Sequence, residues 1–236
     1  MGFRFLFPLL DRASGFPALY FNGTTTRINV GNDASLNDLP SGGTWTIDTW
    51  VRFDSTGSTE DMIIHKGQWN VTGYRIFVSS SGTIFMTTYL PTTNSQVLYL
   101  NNVRDDKFHH VVGYYDDTSK KCRLAVDGSW TALSPAGVGV YGSDAAREMM
   151  LGRISDQVAW YMKGYMSWLR LSDNDRFNGA AGTSFTPPAR YPAPATDVNT
   201  IEQWNMDAGT GTTVVAQVNS PANDGTIIGT ATWVKV

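Results

Sequence analysis

Charge is scarce in this 236-residue chain. Asp, Glu, Lys and Arg together make up 17%, and no block of Lys and Arg gathers anywhere. A protein that neutralises phosphates needs such a block, so nucleic acid is excluded as a partner. Cysteine occurs once, at Cys122, so no disulfide can form within the chain. Set between Lys121 and Arg123, it reads as a half-buried strand residue rather than a reactive thiol. The one apolar stretch of note, Phe3 to Leu10, is far short of the roughly 20 residues that cross a membrane, so membrane insertion is not expected. Helical periodicity is almost absent.

What is present points to strands. Hydrophobic residues reach 42%, with 23 glycines and eight tryptophans. That supplies a full core, with aromatics left over for the surface. Short alternating apolar runs recur, each bounded by Gly, Asn, Asp, Ser or Pro, the pattern of an all-β antiparallel sandwich. Thr44 to Phe53 puts Trp45, Ile47, Thr49, Val51 and Phe53 on one face and Thr46, Asp48, Trp50 and Arg52 on the other. Period two therefore sends Trp45 and Trp50 to opposite faces. Ser80-Ser81-Gly82 and Asp117 to Lys120 read as hairpin connections, and Val97 to Leu100 as an edge. Residues 178–194 carry Pro187, Pro188, Pro192 and Pro194, too many for a central strand. They read as a surface-running connection, with 195–236 returning to the same sandwich as edge strands. The expected organisation is an N-terminal arm, 1–17, and one sandwich, 18–236.

These pieces resemble a known family. ALYFNG with RINV, WTIDTWVRF, IIHKG and GYRIFVSSSGTI are similar to the laminin-G-like, concanavalin A-like jelly roll. FHHVV with Tyr115-Asp116, LAVDG and the segment from Met162 to Ser172 follow in the family's order. The resemblance implies a two-sheet jelly-roll sandwich over about Ala18 to Val236. The stretch QWNMDAGTG resembles a piece that usually opens such a module, yet here it follows the closing strands. This suggests a permuted edge strand or the start of a neighbouring module. Ser167-Trp168 and Ala208 stand where the family usually has acids.

The family's hydrolases carry two or three acids along one strand. The three glutamates here, Glu60, Glu148 and Glu202, lack that spacing, and a glycosidase needs a carboxylate pair. No catalytic residue is therefore assigned. His109 and His110 are strand neighbours and cannot chelate one ion together; one is expected buried and hydrogen-bonded, the other exposed. No metal ligand is assigned. Calcium, the family's usual accessory ion, has candidates in Asn32-Asp33, Asp116-Asp117 and Asp173-Asn174-Asp175, all of which also suit ordinary turn chemistry. Trp69, Trp130, Tyr141, Trp160 and Tyr161 lie in loops and are the candidate platform for stacking on sugar rings. Trp45, Trp50, Trp168 and Trp204 lie in strands and are expected in the core.

The arm offers Phe3, Phe5, Leu6, Phe7, Leu9 and Leu10. Pro8 breaks the stretch, Asp11 and Arg12 end it, and no small-x-small cleavage site follows. It reads as a docking segment or a first strand. A fold usually found outside cells, without a recognisable signal or a disulfide, fits a virion protein assembled in a reducing cytoplasm. The chain also resembles jelly-roll modules of phage structural proteins. The leading expectation is a non-catalytic virion surface protein, of capsid-decoration or tail-fibre type, that binds other virion proteins or surface glycans and possesses the makings of a homo-oligomer. The alternatives are a free extracellular carbohydrate-binding lectin and a glycoside hydrolase with an unrecognised carboxylate pair.

Overall fold

The computed structural model describes residues 15–57 and 60–236. The arm residues Phe3, Phe5, Leu6, Phe7, Leu9 and Leu10, with the docking role expected of them, lie outside the described residues.

Two antiparallel sheets face each other. The first is built on β3 (Thr44–Phe53), which pairs along most of its length with β8 (Phe108–Asp116) on one side and with β12 (Lys163–Ser172) on the other. Beyond β8 come β9 (Lys121–Val126) and the short β10 (Ser129–Trp130). The far side of β12 is shared by β1 (Pro17–Asn22) and β13 (Thr200–Asn205), and β16 (Thr232–Lys235) closes that edge on β1. The second sheet runs β14 (Thr213–Val214), β15 (Gly225–Ile228), β2 (Arg27–Gly31), β11 (Met149–Leu151), β4 (Asp61–Gln68), β5 (Thr72–Val78), β6 (Ile84–Tyr89) and β7 (Ser95–Tyr99). This is the jelly-roll architecture expected from the sequence, with β7 at an edge.

Local chemistry fixes the turns. Asp127 and Gly128 both have positive φ, 51° and 83°, and join β9 to β10. A two-residue Asp-Gly link of that hand matches strand twist. Gly113 is required for a different reason. A Cβ there would lie 2.6 Å from Ile76 Cδ1 and 2.9 Å from Met86 Sδ, so the facing sheet fills the space a side chain would need.

The core lies between the sheets. Trp45, Ile47, Val51 and Phe53 of β3 meet Tyr74, Ile76 and Val78 of β5 and Ile84 and Met86 of β6. Trp204, Met206, Val214 and Ile227, all C-terminal to the proline-rich connection, belong to this same core. The strands after residue 194 join both sheets, β13 and β16 in the first and β14 and β15 in the second, and hence complete the sandwich. Cys122 is fully buried rather than half-buried, with Ser95 Oγ 3.2 Å from its sulfur, and burial pushes its thiol up to about 11.

The outer face of the first sheet is covered. Trp50 and Trp168 are not in the inter-sheet core; they lie under the connecting segment after Phe177. Trp50 donates its indole N–H to Pro188 O at 3.1 Å, Trp168 to Arg190 O at 3.0 Å, and Trp130 to Phe177 O at 3.3 Å. Phe177 and Phe185 stack on each other with centroids 4.5 Å apart and both set their edges against His110. Beneath this strap Arg170 grips Asp48 with two bonds of 3.0 and 2.8 Å. The buried member of the histidine pair, His110, makes no ring hydrogen bond, with Nε2 3.5 Å from Asp48. His109 is the partnered one, lying between Asp105 and Asp127 at 2.9 and 2.7 Å. Aromatic packing, not a hydrogen bond, makes room for the buried ring.

Trp168→Phe keeps most of the ring but removes the N–H that holds Arg190 O. It should cost about 1 kcal/mol in denaturant unfolding and speed proteolytic cleavage between residues 178 and 190.

Candidate functional site

The outer face of the second sheet carries the aromatic cluster. Strand alternation sends Tyr74, Ile76 and Val78 inward, so Arg75 and Phe77 point out, with Phe85 opposite Phe77 and His65 opposite Arg75. Phe77 and Phe85 stack with centroids 4.8 Å apart and 12° between planes. Two loops bring tryptophans over this face. Trp69 follows β4, and its backbone N–H donates to Asp156 Oδ2 at 2.7 Å. Trp160, with φ of 53°, precedes β12. Their rings meet at 4.3 Å, tilted by 56°, and both remain partly exposed. Asp156 thus ties one aromatic loop to the loop that carries the other.

Arg75 is at the centre. Its guanidinium carbon sits 3.8 Å from the Trp69 ring centroid and 4.2 Å from that of Phe77, with Tyr89 at 5.6 Å and Trp160 at 5.9 Å. Cation–π attraction favours this placement. Burial pulls its ionisation down to about 10, against the pull of Tyr89 and Glu60, so the group is cationic at neutral pH. Burial also pushes the Tyr89 phenol up to about 12. The His65 ring is fully buried, and its Nδ1 lies 2.6 Å from Ser155 Oγ and 3.1 Å from Ser155 N. Burial, and after it the charge on Arg75, lowers His65 to about 3.

The other loop aromatics lie elsewhere. Trp130 packs on Phe185 at 5.7 Å as part of the strap's seat. Tyr141 is only 7% exposed, its hydroxyl bound to Asp144 at 2.5 Å. Tyr161 follows Trp160 in sequence but lines a separate depression of about 410 Å³ with Asn22, Thr56, Asp61 and Lys163. Within it, Asp61 pairs with Arg104 at 2.6 Å, and burial raises its carboxyl to about 6 in spite of that pair. Of the five loop aromatics, Trp69 and Trp160 alone come together. Sequence reasoning passes over Arg75, His65, Phe77 and Phe85, although their alternation with the apolar residues of β4 to β6 marks them as outward-facing.

Most oxygens of the Asp/Asn clusters are engaged by the chain itself. Asn32 Oδ1 accepts from the Lys66 ammonium at 2.7 Å, and Asp33 caps Ser35 N at 2.9 Å. Asp116 accepts from the N–H groups of Thr118 and Ser119, and Asp117 pairs with Lys120. Asp175 accepts from Gly179 N and Ala180 N, and Asn174 O from Thr46. These oxygens organise turns or hold a lysine, while the Asn174 side-chain Oδ1 is buried without a partner. Among the described residues no three His, Cys, Asp or Glu side chains form a group that could hold a metal ion.

The His65 environment sets a pH dependence. Unfolded chains take up a proton at His65 near its ordinary value of 6.5, whereas the folded state refuses it down to about 3. Its contribution is fully present above 6.5 and is lost as pH falls through that window. His65→Gln should therefore show a smaller drop in melting temperature between pH 7 and pH 4 than the parent protein.

Comparison with known proteins agrees with this architecture. No curated protein matches the chain in sequence. A candidate carbohydrate-binding protein of Bacteroides ovatus superposes with a TM-score of 0.62 at 14% identity, over 94% of this chain and 60% of that one. This chain thus spans less than two thirds of that protein. The Ruminococcus gnavus IT-sialidase CBM40 gives 0.50 at 15% identity, over 66% of this chain and 90% of that one. Mouse laminin alpha1 domains LG4-5 give 0.50 at 12%, over 65% and 41%. At these identities the likeness is one of fold. In sequence, residues 19–178 match the profile of the concanavalin A-like lectin/glucanases superfamily. With two thirds of its length matched and the two-sheet jelly roll in place, the chain belongs to that superfamily.

Proposed function

We propose that this protein is a non-catalytic carbohydrate-binding module whose ligand stacks on Trp69 and Trp160 over the outer face of the second sheet. The observation that carries this reading is the meeting of two partly exposed indoles from separate loops, 4.3 Å apart, above a polar floor of Arg75 and His65. Rigid aromatic faces bind the apolar faces of pyranose rings, and a few polar groups beside them fix orientation. Two of the structurally similar proteins bear names that refer to carbohydrate binding, in keeping with it.

The disposition of the acids supports the absence of catalysis. Glu202 is buried and accepts from Val218 N, Asn219 N and Asn223 Nδ2. Glu148 holds Asn29, and Asp48 is locked to Arg170 beneath the strap. A glycosidase needs two carboxylates roughly 5–10 Å apart across an open cleft, and these three are engaged in structural bonds.

Trp69→Ala and Trp160→Ala should each weaken glycan binding on the order of tenfold or more without unfolding the domain. Binding that survives both changes in a folded protein argues against the site. The finer reading places the module on a virion or another extracellular surface, docked through the arm at Phe3 to Leu10. Deleting residues 1–14 should then abolish particle attachment and leave glycan binding intact; attachment unchanged by the deletion rejects the docking role.

A further inference from the structure

We infer that the saccharide bound at this site carries a carboxylate, read by Arg75; this rests on the carbohydrate-binding reading above and narrows it to acidic sugars.

Arg170 has Asp48, Arg104 has Asp61, and Lys66 has Asn32, the Arg147 carbonyl and Asp144. Arg153 bonds to the carbonyls of Ile154 and Ser155. Arg75 is as buried as these, at 6% exposed, yet its Nε and Nη1 have no hydrogen-bond partner. Glu60 acts on it only at longer range, and Glu60 Oε2 is itself without a donor. A buried cation without an anion costs several kcal/mol. A fold that gives its other buried cations carboxylate or carbonyl acceptors and leaves Nε and Nη1 of this one open places the cost where a ligand can recover it.

Geometry then selects the anion. The faces of the guanidinium are taken by Trp69 and Phe77, at 3.8 and 4.2 Å. Its edge is what remains for bonding. A planar carboxylate meets a guanidinium edge with two parallel N–H···O bonds. His65 lies directly across the strand pair, and its buried Nε2 likewise has no partner. The unpartnered Nε and Nη1 of Arg75 match an anionic acceptor, whereas a neutral sugar hydroxyl brings no charge to offset Arg75. The stacked indoles supply the surface for the rest of the sugar ring. Because Trp69 covers the guanidinium, the carboxylate enters as that indole shifts, and its fluorescence reports the event.

The test titrates the full-length protein with methyl glycosides of a hexuronic acid and of a sialic acid, and with the methyl ester of each, by calorimetry and tryptophan fluorescence. At least one acid should bind on the order of tenfold or more tightly than its ester, with an emission change that Trp69→Phe alters. Arg75→Lys, which keeps the charge but loses the fork, and Arg75→Met should both erase the acid-over-ester preference; circular dichroism and a cooperative melt establish that each variant is folded. If only one of these variants folds, that variant decides. The two acids separate uronate from sialate as the source of the carboxylate. Equal binding of acids and esters would overturn the inference and leave the carbohydrate-binding reading standing. A preference that persists in the folded Arg75 variant would overturn it as well. No binding of any glycan, acidic or neutral, would remove both.

Discussion

Three indole N–H groups hold a strap across one face of this sandwich, and the rest of the surface follows from that. Trp50, Trp130 and Trp168 donate to the carbonyls of Pro188, Phe177 and Arg190. Proline has no N–H to give, so a proline-rich segment can lie on a sheet only by accepting bonds or by packing. Here the tryptophans give the bonds, and Phe177 and Phe185 do the packing. The Asp48–Arg170 pair then lies in a dry layer, where losing one partner would strand a buried charge. One outer face is spent on internal structure.

Among the described residues the second sheet has no such strap over β4 to β6, and its outward residues differ in kind. They are aromatic and cationic, and they draw two loops onto themselves. Trp69 and Trp160 do not meet by chance of sequence: Asp156 receives the Trp69 N–H, and Ser155 beside it meets His65. The loop that carries Trp160 is thereby fastened to the strand end that carries Trp69. A platform built on fastened loops loses little entropy when a ligand arrives.

Much of the fold is legible in the sequence because it depends on local chemistry. The alternation in TWTIDTWVRF alone sends Trp45 inward and Trp50 outward, and the structure agrees. The Asp127-Gly128 turn and the uncharged edge strand β7 are similarly readable. Where the reading fails, the cause is tertiary. Trp50 and Trp168 look like core residues because a strand position says nothing about which face a distant segment will cover. His110 looks like a hydrogen-bonded histidine because nothing local foretells that Phe177 and Phe185 will close over it. The loop positions of Trp69 and Trp160 are legible, but their meeting is not, being set by the register of β4 on β5 and β11. Arg75 carries no signal beyond being one polar residue in an apolar strand; its meaning lies in the partners it lacks.

The proposed ligand binds over β4 to β6 and not over the strapped sheet. Hydroxyl-radical footprinting of the protein with and without a bound glycan tests it directly, because both faces carry reactive indoles. Protection confined to Trp69, Trp160 and Phe85, with Trp50, Trp130 and Trp168 unchanged, is the predicted result. Protection of the strap and its three tryptophans, with Trp69 and Trp160 unaltered, would contradict it.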